Sequence, residues 1–139
     1  MNYEARVVYA RCDAAAAAVY EFAHRMENLP QWAAGLVASL RHENGAWFTD
    51  TPGGRITIAM APRNELGVLD HDVTMPDGVT THNAMRVTPV GDGSLLAFVV
   101  LRMPEATDAE FERDCTLVTQ DLRTLGALVE RMSGALKAG

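Results

Sequence analysis

Polar and apolar residues alternate at the start of the chain, over residues 3–12. Val7 and Tyr9 lie on the apolar side of this pattern and Arg6 lies on the other, which predicts a half-buried strand. Asp13 then stands at a good N-cap position before a run of alanines, so a first helix is expected from there to about residue 26. Pro30 suits the first turn of a short second helix.

The pattern in the middle of the chain predicts strands joined by tight turns. Asn44-Gly45 predicts a two-residue hairpin, because both residues tolerate the positive φ angles of a type I′ turn. Residues 66–75 and 79–88 flank Pro76-Asp77-Gly78, which predicts a second hairpin. A last strand is expected over residues 95–103.

The C-terminal third carries the strongest periodic signal. Thr107 and Glu110 match a capping box, so a helix is expected to begin there. Steps of three and four residues then form one apolar stripe, which indicates a long helix packed on its own sheet. The stripe consists of Phe111, Cys115, Val118, Leu122, Leu125, Val129, Met132 and Leu136.

The order of these elements predicts an α+β protein in a single domain over residues 1–139. One strand is followed by two short helices, about six antiparallel strands and the long helix over residues 107–138. Short hairpins make the sheet a meander of about six to seven strands in all, and the long C-terminal helix covers one of its faces.

Composition narrows the class of function. The chain has 139 residues and a net charge of −6, which disfavours nucleic acid and anionic membranes as partners. No apolar run is long enough to span a membrane. The N-terminus does not resemble a signal peptide, and Cys12 and Cys115 are expected to be reduced thiols, so we expect a cytoplasmic protein. No motif indicates a cofactor.

Three segments resemble a known family: residues 29–32, with Trp32 after the first helix, residues 67–73, and residues 111–114. Together with the element order, they make the chain similar to the START/polyketide-cyclase (SRPBCC) superfamily, especially its bacterial polyketide-cyclase-like members. The resemblance covers nearly the whole chain and implies a helix-grip fold, with a cavity between a curved sheet and the C-terminal helix. It also implies a small hydrophobic ligand, and in some members cyclisation or dehydration.

The hairpin after Met75 decides which polar groups face such a cavity. A three-residue loop pairs His71 with Asn83 and places both on the mainly apolar inner face. His71 is then a candidate acid or base that Asn83 orients, or the two side chains satisfy each other inside a packed core. A two-residue loop would instead bring His82 and Arg86 beside His71.

The Asp70-His71-Asp72 run does not predict a metal site, because alternation along a strand sends His71 to one face and both aspartates to the other. Asp72 is expected to pair with His82 on the outer face. A catalytic thiol at Cys115 has little support. The predicted ligand-binding set is Trp32, Trp47, Ile58, Met60, Leu69, His71, Val73, Thr81, Asn83, Met85, Cys115, Val118 and Leu122.

Three functions follow as hypotheses. The first is the binding or carrying of a small hydrophobic molecule, lipid-like or polyketide-like. The second is a cyclase or dehydratase that uses His71 and Asn83. The third is a protein-interaction module with a filled core, which an enclosed cavity of about 300 Å³ or more would contradict.

The last strand is apolar on both faces, which indicates that both are covered. The long helix is expected to cover the row of Leu95 and its alternates. The other row, Leu96, Phe98 and Val100, then predicts a homodimer, unless a bulge or the first helices cover it.

Overall fold

The computed structural model describes residues 4–33 and 39–138, with side chains up to residue 134. Tyr3 of the predicted first strand and the side chain of Leu136 in the predicted stripe lie outside the described residues. Strand β1 spans Ala5–Cys12, helix α1 Ala16–His24 and helix α2 Leu29–Trp32, with a 3-10 turn over Met26–Asn28.

The predicted N-cap is wrong. Helix α1 begins at Ala16, and the backbone N–H of Asp13 donates to Glu130 Oε1 at 2.8 Å, which ties the end of β1 to the C-terminal helix instead.

Seven more strands and one long helix complete the described chain. Two antiparallel groups form, in the order β1-β8-β7 and β2-β3-β4-β5-β6. The bounds are β2 Arg41–Glu43, β3 Ala46–Thr51, β4 Gly54–Met60, β5 His71–Thr74, β6 Thr80–Asn83, β7 Met85–Val90, β8 Gly93–Leu101 and α3 Asp108–Ala138.

The two groups meet at Ala84, the single residue between β6 and β7. Its carbonyl accepts from the N–H of Val99 at 3.0 Å, so the chain crosses from one group to the other without a loop. One strand predicted over residues 79–88 is therefore divided in two. The strand predicted over residues 66–75 is shorter and spans only His71–Thr74. The prediction of a curved antiparallel sheet with a long C-terminal helix is confirmed.

Both predicted hairpins have the expected geometry. Asn44 and Gly45 have φ angles of 53° and 79°, as a type I′ turn requires. In the second hairpin the N–H of Met75 donates to the Val79 carbonyl at 2.9 Å, and β5 pairs with β6 so that His71 faces Asn83. The three-residue loop is confirmed, and with it the register of both strands.

Gly67 fixes the segment before β5 against β7. Its φ is +73°, and a Cβ atom there would lie 2.1 Å from the carbonyl oxygen of Val87. The Val87 N–H donates to the Gly67 carbonyl at 3.0 Å. Only glycine permits both this backbone conformation and this close approach.

Helix α3 begins with the predicted capping box. The N–H of Glu110 donates to Thr107 Oγ1 at 3.1 Å, and the N–H of Thr107 donates to Glu110 Oε1 at 3.2 Å. The helix contacts β1, β8, α1 and α2. Its buried apolar side chains are Phe111, Cys115, Leu122, Leu125 and Val129.

The faces of β1 are the reverse of those predicted. Val8, Ala10 and Cys12 are buried against the core, whereas Val7 and Tyr9 are 60% and 62% exposed. Both faces of the strand carry apolar side chains, so alternation alone cannot tell which one the helix covers.

The predicted dimer surface is also wrong, because β8 too is apolar on both faces and alternation does not tell which face points inward. In the register with β1, Phe98 pairs with Val8 and Leu96 pairs with Ala10, so both point inward. Leu96 is fully buried and Val100 is 6% exposed. The outward row of β8 is Leu95, Ala97, Val99 and Leu101.

No helix within residues 4–33 and 39–138 combines the length and apolar character needed to cross a membrane.

Candidate functional site

A cavity of about 340 Å³ lies between α3 and the inner face of the sheet. Helix α3 packs closely on β1 and β8, and the space opens where the sheet curves away at β4, β5 and β6. The described residues of its wall are Leu29, Trp32, Ala33, Ile58, His71, Thr81, Asn83, Phe98, Val100, Leu101, Met103, Asp114, Leu117, Val118, Asp121 and Leu122. The space opens to solvent at its rim and is not enclosed, so the interaction-module hypothesis stays a prediction.

The predicted ligand-binding residues divide into two groups. Seven line the cavity: Trp32, Ile58, His71, Thr81, Asn83, Val118 and Leu122. Six do not, and are Trp47, Met60, Leu69, Val73, Met85 and Cys115. Leu69, Val73, Met85 and Cys115 are buried in the core, where they pack rather than face empty space.

Trp47 and Met60 lie at other places on the sheet. The indole of Trp47 stacks on the ring of His42, with centroids 4.5 Å apart, and stays partly exposed. Met60 pairs with His71 across β4 and β5 and is half-buried. Of the two tryptophans, only Trp32 contributes to the cavity wall.

His71 is the most buried titratable side chain of the wall, with 7% of its surface exposed. Its Nδ1 lies 3.0 Å from the Leu69 carbonyl oxygen, and since a carbonyl only accepts, Nδ1 carries the hydrogen. Burial lowers the pKa of His71 and keeps the ring neutral at pH 7. Its Nε2 then carries a lone pair and no hydrogen, so it can only accept a hydrogen bond. The ring of Phe98 packs edge-on against it at 5.8 Å.

Two neutral polar groups accompany His71. Asn83 faces it across β5 and β6, and Thr81 lies two residues earlier on the same strand, so all three share the inner face. Asn83 is half-buried. Its amide can donate and accept, so it can orient a bound molecule beside the imidazole.

Sequence reasoning missed Asp121, the carboxyl group of the wall that lies deepest on α3. It is half-buried, and no described residue pairs with it by a hydrogen bond or a salt bridge. Burial raises its pKa from 3.8 to about 6. The sequence pattern contains a signal for this position. Asp114, Leu117 and Asp121 follow one another at steps of three and four, which places them on one side of the helix, beside the apolar stripe.

A second polar group of the wall has no partner among the described residues. The indole Nε1–H of Trp32 is buried and has no acceptor, and the side chain as a whole is 4% exposed. An unpaired buried donor costs free energy of about 1–3 kcal/mol. Such groups are uncommon in folded proteins.

The aspartates beside His71 face outward, as alternation predicted. His82 Nδ1 lies 2.6 Å from Asp72 Oδ1, and this hydrogen bond raises the pKa of His82. Arg86 donates to both oxygens of Asp70 at 3.2 Å, and the N–H of Met85 donates to Asp70 Oδ1 at 2.9 Å. These groups form a surface network on the face of the sheet opposite the cavity.

A second cleft of about 450 Å³ lies between α1 and residues 63–67. Arg63 donates to Glu21 at 2.9 Å across it, and Leu66 beside it is 81% exposed. This cleft has a more polar wall and is crossed by an exposed ion pair, so the cavity under α3 is the better candidate for a small molecule.

Several solved structures have a fold similar to that of this chain. A START superfamily protein from Mycobacterium smegmatis matches with a TM-score of 0.65 and 14% identity over 94% of this chain and 99% of its own. This is the helix-grip fold. Ara h 8.0201 matches with a TM-score of 0.64 and 11% identity, over 92% of this chain and 98% of its own.

A third similar structure is that of the Aha1 dimer from Colwellia psychrerythraea, with a TM-score of 0.69 and 14% identity over 91% of this chain and 96% of its own. No protein-family model matches the sequence, and no curated protein does. At these identities the solved structures establish the shared fold.

The unpaired carboxylate predicts a pH-dependent stability gain in Asp121→Asn. Between pH 4 and 6 the native state binds more protons at Asp121 than the unfolded state does, so wild-type stability falls as the pH rises through this window. At pH 7 and above, Asp121→Asn should be more stable by about 1 kcal/mol after solvent screening. The gain should disappear below about pH 4. Urea unfolding at each pH measures it.

Asp92→Asn is the control, because it removes the same charge from an exposed turn. An equal gain in both variants would attribute the effect to net charge and contradict the burial of Asp121.

Proposed function

We propose that this protein binds a small hydrophobic molecule in the cavity between α3 and the sheet. The observation that carries the proposal is the cavity itself, whose wall is mainly apolar and holds a few convergent polar groups. Its volume of about 340 Å³ lies within the range of small-molecule sites, about 300–1,000 Å³.

The rim of the cavity supports access from solvent. Leu101, Met103 and Leu117 belong to the wall and are 39%, 44% and 46% exposed. Exposed apolar side chains around an opening are typical of binding sites. The resemblance to the START/polyketide-cyclase superfamily implies the same class of ligand. Free, buried thiols at Cys12 and Cys115 support a cytoplasmic setting for this activity.

Filling the cavity should weaken ligand binding. Val118→Trp places a large side chain into the space from α3, so the affinity for Nile red, a neutral apolar dye, should fall by about tenfold or more. Dye fluorescence measures the affinity, and circular dichroism verifies that the variant is folded.

Gln120→Trp adds the same side chain to an exposed position of the same helix and should bind the dye like the wild type. If the wild type does not bind Nile red, or if Val118→Trp binds it equally well, the cavity is not the site.

An enzyme of the cyclase or dehydratase type is the second candidate. The observation in its favour is that the free Nε2 of neutral His71 and the carboxyl group of Asp121 border one cavity. The raised pKa of Asp121, about 6, suits proton transfer near neutral pH. Asn83 would orient the substrate or the imidazole.

His71→Phe tests this candidate, using the small molecule that native mass spectrometry finds bound to the purified protein. A catalytic His71 predicts that the wild type converts this molecule and that the variant does so about a hundredfold more slowly while still binding it. Liquid chromatography with mass spectrometry follows the conversion. No conversion by the wild type, or equal conversion by both, would reject the enzymatic role.

We also propose a homodimer, now on the outward face of β1 and β8. The apolar side chains on that face include the exposed Val7 and Tyr9 and the partly buried Val99. Symmetric dimers are the commonest way to cover such a patch. The description of the Aha1 structure as a dimer shows that a chain of this fold can pair.

Tyr9→Glu should convert this dimer to a monomer, because it places a charge in the apolar contact. Light scattering should give twice 15.1 kDa for the wild type and 15.1 kDa for the variant. Leu66→Glu, on an exposed side chain that belongs to neither β1 nor β8, should leave the dimer intact. A monomeric wild type at high concentration would contradict the proposal.

A further inference from the structure

The polar groups of the cavity are biased toward hydrogen-bond acceptors and negative charge. Among the described residues of the wall there is no lysine and no arginine, whereas Asp114 and Asp121 both belong to it. A ligand carboxylate would therefore meet no cation and two anionic groups. Inside a partly desolvated site this repulsion is stronger than it would be in water.

His71 adds an acceptor at the floor of the cavity. Its Nδ1–H is already committed to the Leu69 carbonyl at 3.0 Å, so Nε2 offers a lone pair and no hydrogen. The side chain is more than nine-tenths buried, and no described residue donates to Nε2. A group that satisfies it must be a donor.

Trp32 adds its ring to the wall but no polar contact for a ligand. Its Nε1–H is shielded from the cavity space and lacks an acceptor among the described residues. A hydroxyl group can supply the hydrogen that His71 Nε2 lacks, because its oxygen carries one hydrogen. A carboxylate can only accept, so it leaves His71 unsatisfied.

We propose that the cavity is specific for an uncharged apolar molecule that carries a hydroxyl group, an alcohol or a phenol, and that it rejects carboxylates such as fatty-acid anions. This inference rests on the proposed function, since it names the ligand class of the same cavity. His71 and Asp121 select the ligand, and the apolar wall supplies the affinity.

Three probes that share one ring system test the selection: 2-naphthylmethanol, 2-methylnaphthalene and 2-naphthoate, each titrated at pH 8 by calorimetry. The alcohol should bind at least about tenfold more tightly than the carboxylate. It should bind several-fold more tightly than the hydrocarbon. His71→Phe should remove the advantage of the alcohol over the hydrocarbon. Asp121→Asn should improve binding of the carboxylate, and Asp92→Asn should change nothing.

The outcomes separate the two proposals. If 2-methylnaphthalene and Nile red bind but the carboxylate equals or exceeds the alcohol, this inference fails and the proposed function stands. An unchanged preference for the alcohol in His71→Phe would also overturn it. If none of the probes binds and Nile red does not bind either, the proposed function itself fails.

Discussion

The packing of one apolar helix stripe against the curved sheet determines everything else in this structure. Phe111, Cys115, Leu122, Leu125 and Val129 are buried along α3, which contacts β1 and β8. A straight helix can follow a curved sheet closely only along part of its width. Where β4 to β6 bend away from α3, side chains of normal size do not fill the gap, and the cavity is what remains.

The groups that line this gap reduce the stability of the fold. Within the described part of the chain, Trp32 has a buried N–H without an acceptor, and Asp121 holds a half-buried carboxyl group without a partner. A core selected for stability alone would pair or replace such groups. Unsatisfied polar groups and shifted pKa values concentrate at functional sites, and here they gather around one cavity. The stability cost is consistent with a role in binding.

Sequence reasoning predicted the elements whose signals are local. The capping box of Thr107 and Glu110, the Asn44-Gly45 turn and the register that joins His71 to Asn83 were all correct, because turn chemistry and helical period fix them. It failed where the choice depends on packing between distant segments. Strands β1 and β8 are apolar on both sides, so Leu96, Phe98 and Val100 were assigned to the wrong face. Asp121 was missed because an acidic residue beside an apolar stripe usually faces solvent.

The indole N–H resonances test the central claim, that a ligand enters the cavity beside Trp32. The chain has two tryptophans, so a ¹H–¹⁵N spectrum shows two indole signals. Trp32 lines the cavity, whereas Trp47 stacks on His42 away from it and serves as an internal control. On addition of 2-naphthylmethanol the account predicts a large shift of the Trp32 signal and little change at Trp47. A shift confined to Trp47, or saturable binding that leaves Trp32 unmoved, would contradict it.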